Sequence, residues 1–241
     1  MKIFVISLNN ALLRRERVQR VMTELGVDFT FFDAVNGFQG IPERLQGFPD
    51  DLHRRVFRSR PLTPGEKGCY ASHYLLWEKC IELNESIMIL EDDFLPTQYF
   101  KDVFKDLPSW NIKYEYLRLE HQIGDATMLE YQDGFQAVLW HNNVRWTTGY
   151  SVSPAGAKKL VSHSKRWRCS VDNFIGESYR NKLKSVGLLP YAVYSPGDMD
   201  SCIQNKVILA KVPLVFKLTR EAYRFYRLIR MKCWNKNQKV R

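Results

Sequence analysis

Residues 86–93 read SIMILEDD, and this octet decides how the chain folds. Residues 87–90 are all apolar and do not alternate with polar residues, which is typical of a strand that is buried on both faces of a sheet. The last three residues are Glu91, Asp92 and Asp93. The octet therefore predicts a central strand with three carboxylates at its C-terminal end, where open α/β sheets bind their ligands.

The residues before the octet predict a β-α-β unit followed by a long helix. The run IFVISL at 3–8 and the run DFTFF at 28–32 have strand composition, and apolar residues recur at helical spacing between them. Residues 38–62 mix glycines and prolines with charges and predict a long loop. Thr63-Pro64-Gly65-Glu66 has the form of a capping box, so a helix should begin there and run to about Leu83.

After the octet, strand and helix patterns are shorter. Strands are predicted at 114–119, 135–140, 147–152 and 188–194, and helices at 154–161 and 171–184. Strands alternate with helices in the first half and cluster later. We therefore expect an α/β fold with a mixed central sheet flanked by helices.

The positive charge is concentrated at the C-terminal end of the chain. The net charge is +10, and residues 211–241 carry ten basic residues against one acidic residue. A nucleic-acid enzyme would more usually spread its basic residues over the folded groove, so we expect no nucleic-acid partner. We divide the chain into a domain at 1–210 and a basic tail at 211–241.

The tail has the pattern of an amphipathic helix. At about 100° per residue, one arc contains Leu214, Leu218, Ala222, Phe225, Ile229 and Cys233. The opposite side contains Lys217, Arg220, Arg224, Arg227 and Arg230. Such helices lie on anionic membrane surfaces, so we expect peripheral attachment to the cytoplasmic membrane. The alternative is a helix that packs on the protein's own core.

The sequence also bears on the compartment. The N-terminal run has no signal-peptide pattern, and no segment reaches the roughly 18 apolar residues of a spanning helix. The five cysteines form neither a C-x-x-C pair nor a zinc-like spacing. We expect a cytoplasmic protein on the inner face of the membrane, with reduced structural cysteines.

The three acidic residues at 91–93 suggest a binding site for a divalent cation. Adjacent carboxylates repel one another and lose solvation when buried, and Mg²⁺ or Mn²⁺ would remove this cost while binding diphosphate oxygens. Alternation along a strand places Glu91 and Asp93 on one side and Asp92 on the other. An acidic surface turn is the alternative. Phosphoryl-transfer folds also carry such clusters, although no G-x-x-x-x-G-K-[ST] motif occurs in the sequence.

Four blocks in order resemble glycosyltransferase family 25, the bacterial lipooligosaccharide enzymes that are themselves similar to galactosyltransferase domains acting on collagen. The blocks are Ile6-Ser7-Leu8 with Arg14-Arg15-x-Arg17, FDAVNG at 32–37, LTPGEKGCYASH at 62–73 and ILEDD at 89–93. A weaker match extends through 148–160 and Val171-Asp172. The resemblance covers roughly residues 1–205.

The resemblance implies a GT-A-like fold, a UDP-sugar donor, commonly UDP-galactose, and inversion to a β linkage on a hydroxyl of a lipid-linked oligosaccharide of lipooligosaccharide or lipopolysaccharide. It implies that Glu91, Asp92 and Asp93 bind Mn²⁺ or Mg²⁺. It also implies nucleotide-sugar contacts at Ser7, Leu8, Asn9, Arg14, Arg17, Ala34, Glu66, Ser72 and His73. Capping alone would also explain Glu66, ordinary core packing would explain His73, and solvation on a helix face would explain both arginines.

An inverting transfer also requires a general base. We assign it to Asp172, which lies at the start of a predicted helix where the helix dipole favours an ionised carboxylate. The competing residues are Glu120, Asp125, Asp198 and Asp200. A membrane-associated scaffold without enzymatic activity, built on a nucleotide-sugar-binding fold, is the main alternative to the enzyme.

Overall fold

A computed structural model describes residues 1–141, 146–196 and 213–239. In these ranges a mixed eight-stranded sheet has helices on both faces, as the sequence predicts. Its strands are β1 (Lys2–Ser7), β2 (Thr30–Asp33), β3 (Ile87–Glu91), β5 (Tyr116–Arg118), β6 (Ala126–Gln132), β7 (Phe135–Trp140), β8 (Gly149–Val152) and β9 (Val186–Leu189). A separate two-stranded ribbon pairs β4 (Leu95–Pro96) with β10 (Val193–Tyr194).

The helices of the described ranges surround this sheet. They are α1 (Leu12–Leu25), α2 (Asp51–Arg58), α3 (Pro64–Leu83), α4 (Phe100–Lys113), α5 (Pro154–His163), α6 (Val171–Gly176), α7 (Ser178–Asn181) and α8 (Leu214–Lys239), with a 3₁₀ turn at Glu43–Leu45.

The strand order places a ligand crevice at the carboxyl ends of β1 and β3. The order is β2-β1-β3-β8-β5-β9-β7-β6, and the first three strands are parallel. The chain leaves β1 towards one side to form β2 and returns on the other side to form β3. This change of direction is a topological switch point, where open α/β sheets bind ligands.

The central strand β3 is buried on both faces. Ile87 and Ile89 pack with the core cluster that contains α3, whereas Met88 and Leu90 pack with the cluster that contains α1 and α4. All four residues have no measurable solvent exposure. The continuous apolar run is thus explained, because each face of the strand contacts a different layer of helices.

Some predicted elements differ from the structure. The predicted loop at 38–62 contains α2, which is only eight residues long and therefore too short to show a sustained period. The helix predicted at 171–184 is divided into α6 and α7 at Glu177, whose ψ of 65° leaves the helical region. Helix α4, with Pro108 in its interior, and strand β6 were not predicted.

The C-terminal helix exists and packs on the domain. The Thr219 hydroxyl donates a hydrogen bond to the carbonyl oxygen of Val56 in α2, and Arg227 forms an ion pair with Glu177. Met231 is buried. The Asn235 amide donates to the His141 carbonyl oxygen over 2.6 Å. The periodicity places Arg227 on the basic side of α8, and in the structure its charge compensates the buried carboxylate of Glu177.

The predicted apolar stripe of α8 faces away from the domain. Leu214, Leu218 and Phe225 are 72%, 66% and 65% exposed. The helix docks through a different face, centred on Tyr223, Arg227 and Met231. None of the described helices is long and apolar enough to cross a membrane. The proposed boundary at residue 210 lies outside the described residues and stays a prediction.

Candidate active site

A cavity of about 160 Å³ lies at the switch point between β1 and β3. The predicted site residues that line it are Ser7, Leu8, Arg14, Ala34, Ser72, His73, Glu91, Asp92 and Asp93. Residues far apart in sequence thus meet at one edge of the sheet. Asn9, Arg17, Glu66 and Asp172 are not among the described residues that line the cavity.

Asp92 faces α1 and is engaged by both of its carboxylate oxygens. Oδ1 accepts a hydrogen bond from Arg14 Nη1 at 2.7 Å, and Oδ2 accepts one from Ser7 Oγ at 2.7 Å. Arg17 donates to the backbone oxygen of Asp92. Asp92 therefore orients the arginines of α1, and it holds the Arg14 guanidinium at the cavity wall.

Glu91 faces the opposite side of β3, towards α3. Its carboxylate accepts a hydrogen bond from Thr147 and lies 3.2 Å from His73 Nε2. Burial opposes ionisation of Glu91, but His73 and Thr147 outweigh it and hold its pKa below the usual value. The other ring nitrogen of His73 lies 2.9 Å from the Tyr150 hydroxyl. His73 is thus fully buried and bonded at both nitrogens.

Of the three consecutive carboxylates, Asp93 has the fewest hydrogen-bond and charge partners among the described residues. Oδ2 accepts a hydrogen bond from Ser195 Oγ at 3.0 Å, whereas Oδ1 is buried and accepts none from any described residue. Burial and the charge of Glu91 raise the pKa of Asp93 to about 6. The strand ends at Glu91, so the predicted alternation separates Glu91 from Asp92 but does not extend to Asp93.

A hard divalent cation fits Asp93 best. Mg²⁺ and Mn²⁺ prefer oxygen ligands, and Asp93 Oδ1 is a buried oxygen donor without a bonded partner. A second grouping places ligand atoms of Cys69, His73 and Glu91 within 4.8 Å of one another, a set that would suit zinc. However, burial raises the pKa of the Cys69 thiol well above its usual value, which opposes formation of the thiolate that binds metal.

The turn at residues 33–37 forms the opposite wall of the cavity. Ser72 Oγ accepts a hydrogen bond from the Val35 N–H at 2.8 Å and donates to the Gly68 carbonyl oxygen at 2.9 Å. A Cβ added at Gly37 would lie 1.8 Å from the Pro64 carbonyl oxygen. The turn can therefore contact the first turns of α3 only because Gly37 has no side chain.

Among the further residues that line the cavity, Cys69 and Phe38 have side chains that could contact a ligand, and neither was predicted as a site residue. Cys69, interpreted from the sequence as structural, lies on α3 one turn before His73, and Phe38 follows the turn with an exposed ring. A helical spacing of four residues between Cys69 and His73 was the available signal for the cysteine. The aromatic residue directly after FDAVNG was the signal for Phe38.

Glu66 performs the capping role that the sequence predicts. Thr63 and Glu66 form the reciprocal capping box, and the Glu66 carboxylate also accepts two hydrogen bonds from Arg60, at 2.6 and 2.9 Å. Its oxygens are thus occupied beside the cavity. Asn9 is exposed at the end of β1. Contacts of Asn9, Arg17 and Glu66 with a nucleotide sugar stay predictions.

The candidate bases have different surroundings. Asp172 lies half-buried in the first turn of α6, with the Asn173 amide 3.3 Å away, and its charge raises the pKa of Cys69. Glu120 is buried, and burial raises its pKa to about 7. Asp125 is exposed. Asp198 and Asp200 lie outside the described residues.

The fold and the cavity define an α/β protein with an acidic ligand site at a switch point. The sequence model described as glycosyltransferase family 25 (LPS biosynthesis protein) matches residues 1–175. The chain belongs to this family.

Three relatives illustrate its range. A glycosyltransferase 25 family member from Aedes aegypti is 31% identical over 79% of this chain and 34% of its own length. Procollagen galactosyltransferase 1-B from Xenopus laevis is 32% identical over 74% of this chain and 31% of its own length. Lipooligosaccharide biosynthesis protein lic2B from Haemophilus influenzae is 28% identical over 86% of this chain and 77% of its own length. The matched part of the chain thus spans about a third of the length of each of the two animal relatives.

Proposed function

We propose that this chain transfers a sugar, galactose first among the candidates, from a UDP-sugar to a hydroxyl of a lipooligosaccharide or lipopolysaccharide glycan, with inversion to a β linkage on a GT-A-like fold. The observation that carries the proposal is that Arg14, held by Asp92, and the carboxylate of Asp93 line the same cavity at the switch point. A guanidinium and a buried carboxylate with a free oxygen are what a diphosphate and its cation require. The similarity to a procollagen galactosyltransferase and to a lipooligosaccharide biosynthesis protein supports the same chemistry.

The residues divide the work of releasing the diphosphate. Negative charge develops on the leaving group, and fixed cations in a site shielded from water stabilise it. Asp92, itself oriented by the Ser7 hydroxyl, holds Arg14 ready to contact the diphosphate. A bound Mn²⁺ or Mg²⁺ at Asp93 would supply further positive charge to the same oxygens. The exposed ring of Phe38 offers a surface on which the nucleobase can stack.

Asp172 is the proposed general base for the acceptor hydroxyl. Its carboxylate lies outside the described lining of the cavity, on the side of Cys69, and it is half-buried rather than locked in an ion pair. A base must be free to accept a proton as the hydroxyl attacks the anomeric carbon. Glu120 is the second candidate, because burial raises its pKa to about 7, in the range suited to a general base.

One assay tests the proposal against a non-enzymatic scaffold. We would measure UDP binding by calorimetry with Mn²⁺ or with EDTA, and hydrolysis or transfer from a panel of UDP-sugars. Binding that requires Mn²⁺, together with turnover of at least one UDP-sugar, is expected. Absence of both UDP binding and turnover in the presence of Mn²⁺ would leave the scaffold as the better explanation.

We also propose that the protein acts at the cytoplasmic face of a membrane, where a lipid-linked acceptor is displayed. The stripe of Leu218, Phe225 and Ile229 on α8 is exposed, and Lys217 and Arg224 flank it in solvent. Apolar residues beside exposed cations favour binding to an anionic lipid surface. The docked face of α8 would keep the domain close to that surface.

A further inference from the structure

A second cavity lies beside Asp93, to which it is linked through Ser195. It has a volume of about 280 Å³, and Glu120, Thr148, Trp146, Tyr191 and Tyr194 line it together with His121 and Ser195. The Ser195 hydroxyl that lines this cavity donates the 3.0 Å hydrogen bond to Asp93, which lines the first cavity. The two cavities are therefore neighbours across a single hydrogen bond.

The second cavity has aromatic walls that extend outward. Trp146 is 55% exposed and Tyr194 is 40% exposed. An adjoining cavity of about 490 Å³ shares Tyr191 and Tyr194 and adds Tyr99, which is 38% exposed. We call Tyr99, Trp146, Tyr191 and Tyr194 the aromatic groove. Large exposed rings with polar tips are suited to the mixed apolar and hydroxylated faces of pyranose rings.

The groove is held in place by backbone contacts. Tyr194 in β10 is paired with Leu95 in β4. The Thr97 hydroxyl donates to the Tyr191 carbonyl oxygen at 2.7 Å, and the Thr97 N–H donates to the Ala192 carbonyl oxygen at 2.8 Å. A wall that is already ordered loses little conformational entropy when a ligand binds, which favours binding.

The floor of the inner cavity is polar, but its carboxylate is compensated. Glu120 accepts a hydrogen bond from the Thr148 N–H at 3.0 Å and forms an ion pair with Arg118, which has no measurable exposure. A paired carboxylate can accept a hydrogen bond from a hydroxyl but attracts an ammonium group weakly. The floor thus favours a neutral polyol over a lysine side chain.

We propose that the aromatic groove is the acceptor subsite and that it takes a neutral oligosaccharide of at least two pyranose units. The accepting sugar would occupy the inner cavity beside Asp93, and the preceding sugar would stack on Tyr191, Tyr194 and Tyr99 in the outer cavity. The inference rests on the proposed function, since it places the acceptor opposite the UDP-sugar; in this placement the carboxylate that lines the acceptor cavity is Glu120, the second candidate base.

Saturation-transfer NMR tests the groove without relying on turnover. The probes are the disaccharides lactose, cellobiose, maltose and melibiose, with a Gly-Pro-Lys repeat peptide as the competing ligand. At least one disaccharide should receive saturation from the unaltered protein, and Tyr194→Ala should weaken its binding about tenfold, which corresponds to about 1.4 kcal/mol. The matched control is Tyr131→Ala, which removes a ring 65% exposed on β6, outside the groove, and should leave disaccharide binding unchanged.

The same samples separate the subsite from the donor site. Calorimetric titration with UDP and Mn²⁺ should give the same affinity in both variants. If the unaltered protein binds a disaccharide but does not bind UDP, the donor proposal is refuted and the acceptor proposal for the groove is retained. If Tyr194→Ala does not fold, disaccharide binding is measured in Tyr99→Ala instead, because the Tyr99 ring also lines the outer cavity.

Three results would overturn the inference. The first is equal disaccharide binding in the groove variant and in the unaltered protein. The second is no saturation transfer to any of the four disaccharides. The third is a peptide that binds with a dependence on Tyr194 while the sugars do not, which would make the groove a peptide site.

Discussion

Three consecutive carboxylates acquire three different environments at the end of β3. Glu91 is bonded to His73 in α3 and to Thr147 just before β8, Asp92 is paired with Arg14, and Asp93 keeps an oxygen without a bonded partner among the described residues. The differences arise because β3 ends between them, so each side chain meets a different layer of the fold. Their contributions to activity should differ in the same way.

Asp93→Asn should reduce sugar transfer by more than about 10²-fold, equivalent to about 2.7 to 4 kcal/mol of barrier. The substitution removes the charge that would hold the cation but keeps the shape of the side chain. Turnover of a UDP-sugar with Mn²⁺ measures the effect, and the thermal melting temperature verifies the fold. Full activity of Asp93→Asn in the presence of EDTA would contradict the metal assignment.

Asp172→Asn should preserve UDP affinity and abolish transfer, since a base acts on the acceptor while the nucleotide is held by other residues. Calorimetry with UDP and single-turnover transfer measure the two properties separately. Glu120→Gln is the comparison. Unchanged transfer in Asp172→Asn with loss in Glu120→Gln would move the role of base to Glu120, and lost UDP binding in Asp172→Asn would also refute the assignment.

At the scale of elements, the start of α3 and the turn at 33–37 depend on close backbone contact. A Cβ at Gly68 would lie 2.4 Å from the Val35 carbonyl oxygen and 2.6 Å from the Gly37 nitrogen. Both neighbours are backbone atoms, which cannot rotate away. Separation of the turn from α3 would open the wall of the first cavity.

Gly68→Ala should therefore destabilise the protein by about 1 to 3 kcal/mol, as overpacking does, and weaken UDP binding. Chemical denaturation and calorimetry measure the two effects. The control is Gly47→Ala, because a Cβ there has no atom within 4 Å and φ is not positive. Equal stability of the two variants would show that the contact can relax.

The outward stripe of α8 should attach the protein to anionic lipid. The triple substitution Leu218→Glu, Phe225→Glu and Ile229→Glu should abolish sedimentation with phosphatidylglycerol liposomes at low salt, because it adds negative charge to the lipid-facing side. The matched control places the same three charges at Ile112, Ile123 and Met128, which are 88%, 72% and 62% exposed elsewhere. No sedimentation of the unaltered protein would refute the membrane proposal.

At the scale of the whole molecule, one buried charge cluster joins the tail helix to the domain. The carboxylate of Glu177, between α6 and α7, lies 2.7 Å from Arg58 in α2, 2.6 Å from Arg180 in α7 and 2.6 Å from Arg227 in α8. Burial opposes ionisation of Glu177, but the three arginines outweigh it and keep its pKa below the usual value.

Glu177→Gln should lower the free energy of unfolding by about 3 to 5 kcal/mol, because it leaves buried arginines without compensation. Hydrogen exchange should also accelerate in α8. Glu221→Gln is the control, since its surface pairs with Arg220 and Arg224 are worth at most about 1 kcal/mol. Equal effects of the two substitutions would show that the cluster does not hold the helix.

Acid should act in the same direction as this substitution. The pKa of Glu177 is lowered on folding, so its contribution is complete above its ordinary value of 4.5 and is lost as the pH falls through the folded value. The free energy of unfolding, measured between pH 7 and pH 3, should therefore decline less in Glu177→Gln than in the unaltered protein.

Elements with local signals can be predicted from the sequence. The apolar run before Glu91 predicts β3, the capping box at Thr63 and Glu66 predicts the start of α3, and the period after Leu214 predicts α8. Each signal arises from residues within a few positions of one another, because strand alternation, helix capping and helical periodicity are short-range effects. The family blocks also identify the edge of the sheet that carries the cavity.

Which charged groups meet depends on the tertiary fold. Arg14 and Asp92 are 78 positions apart, and Arg58 and Glu177 are 119 positions apart. The order of strands brings such residues together, and no local period encodes that order. The same reason explains why the sequence did not reveal the pairing of Arg227 with Glu177 and left the groove between Tyr99 and Tyr194 unrecognised: burial of a charge, or exposure of a ring, depends on what the rest of the chain packs against it.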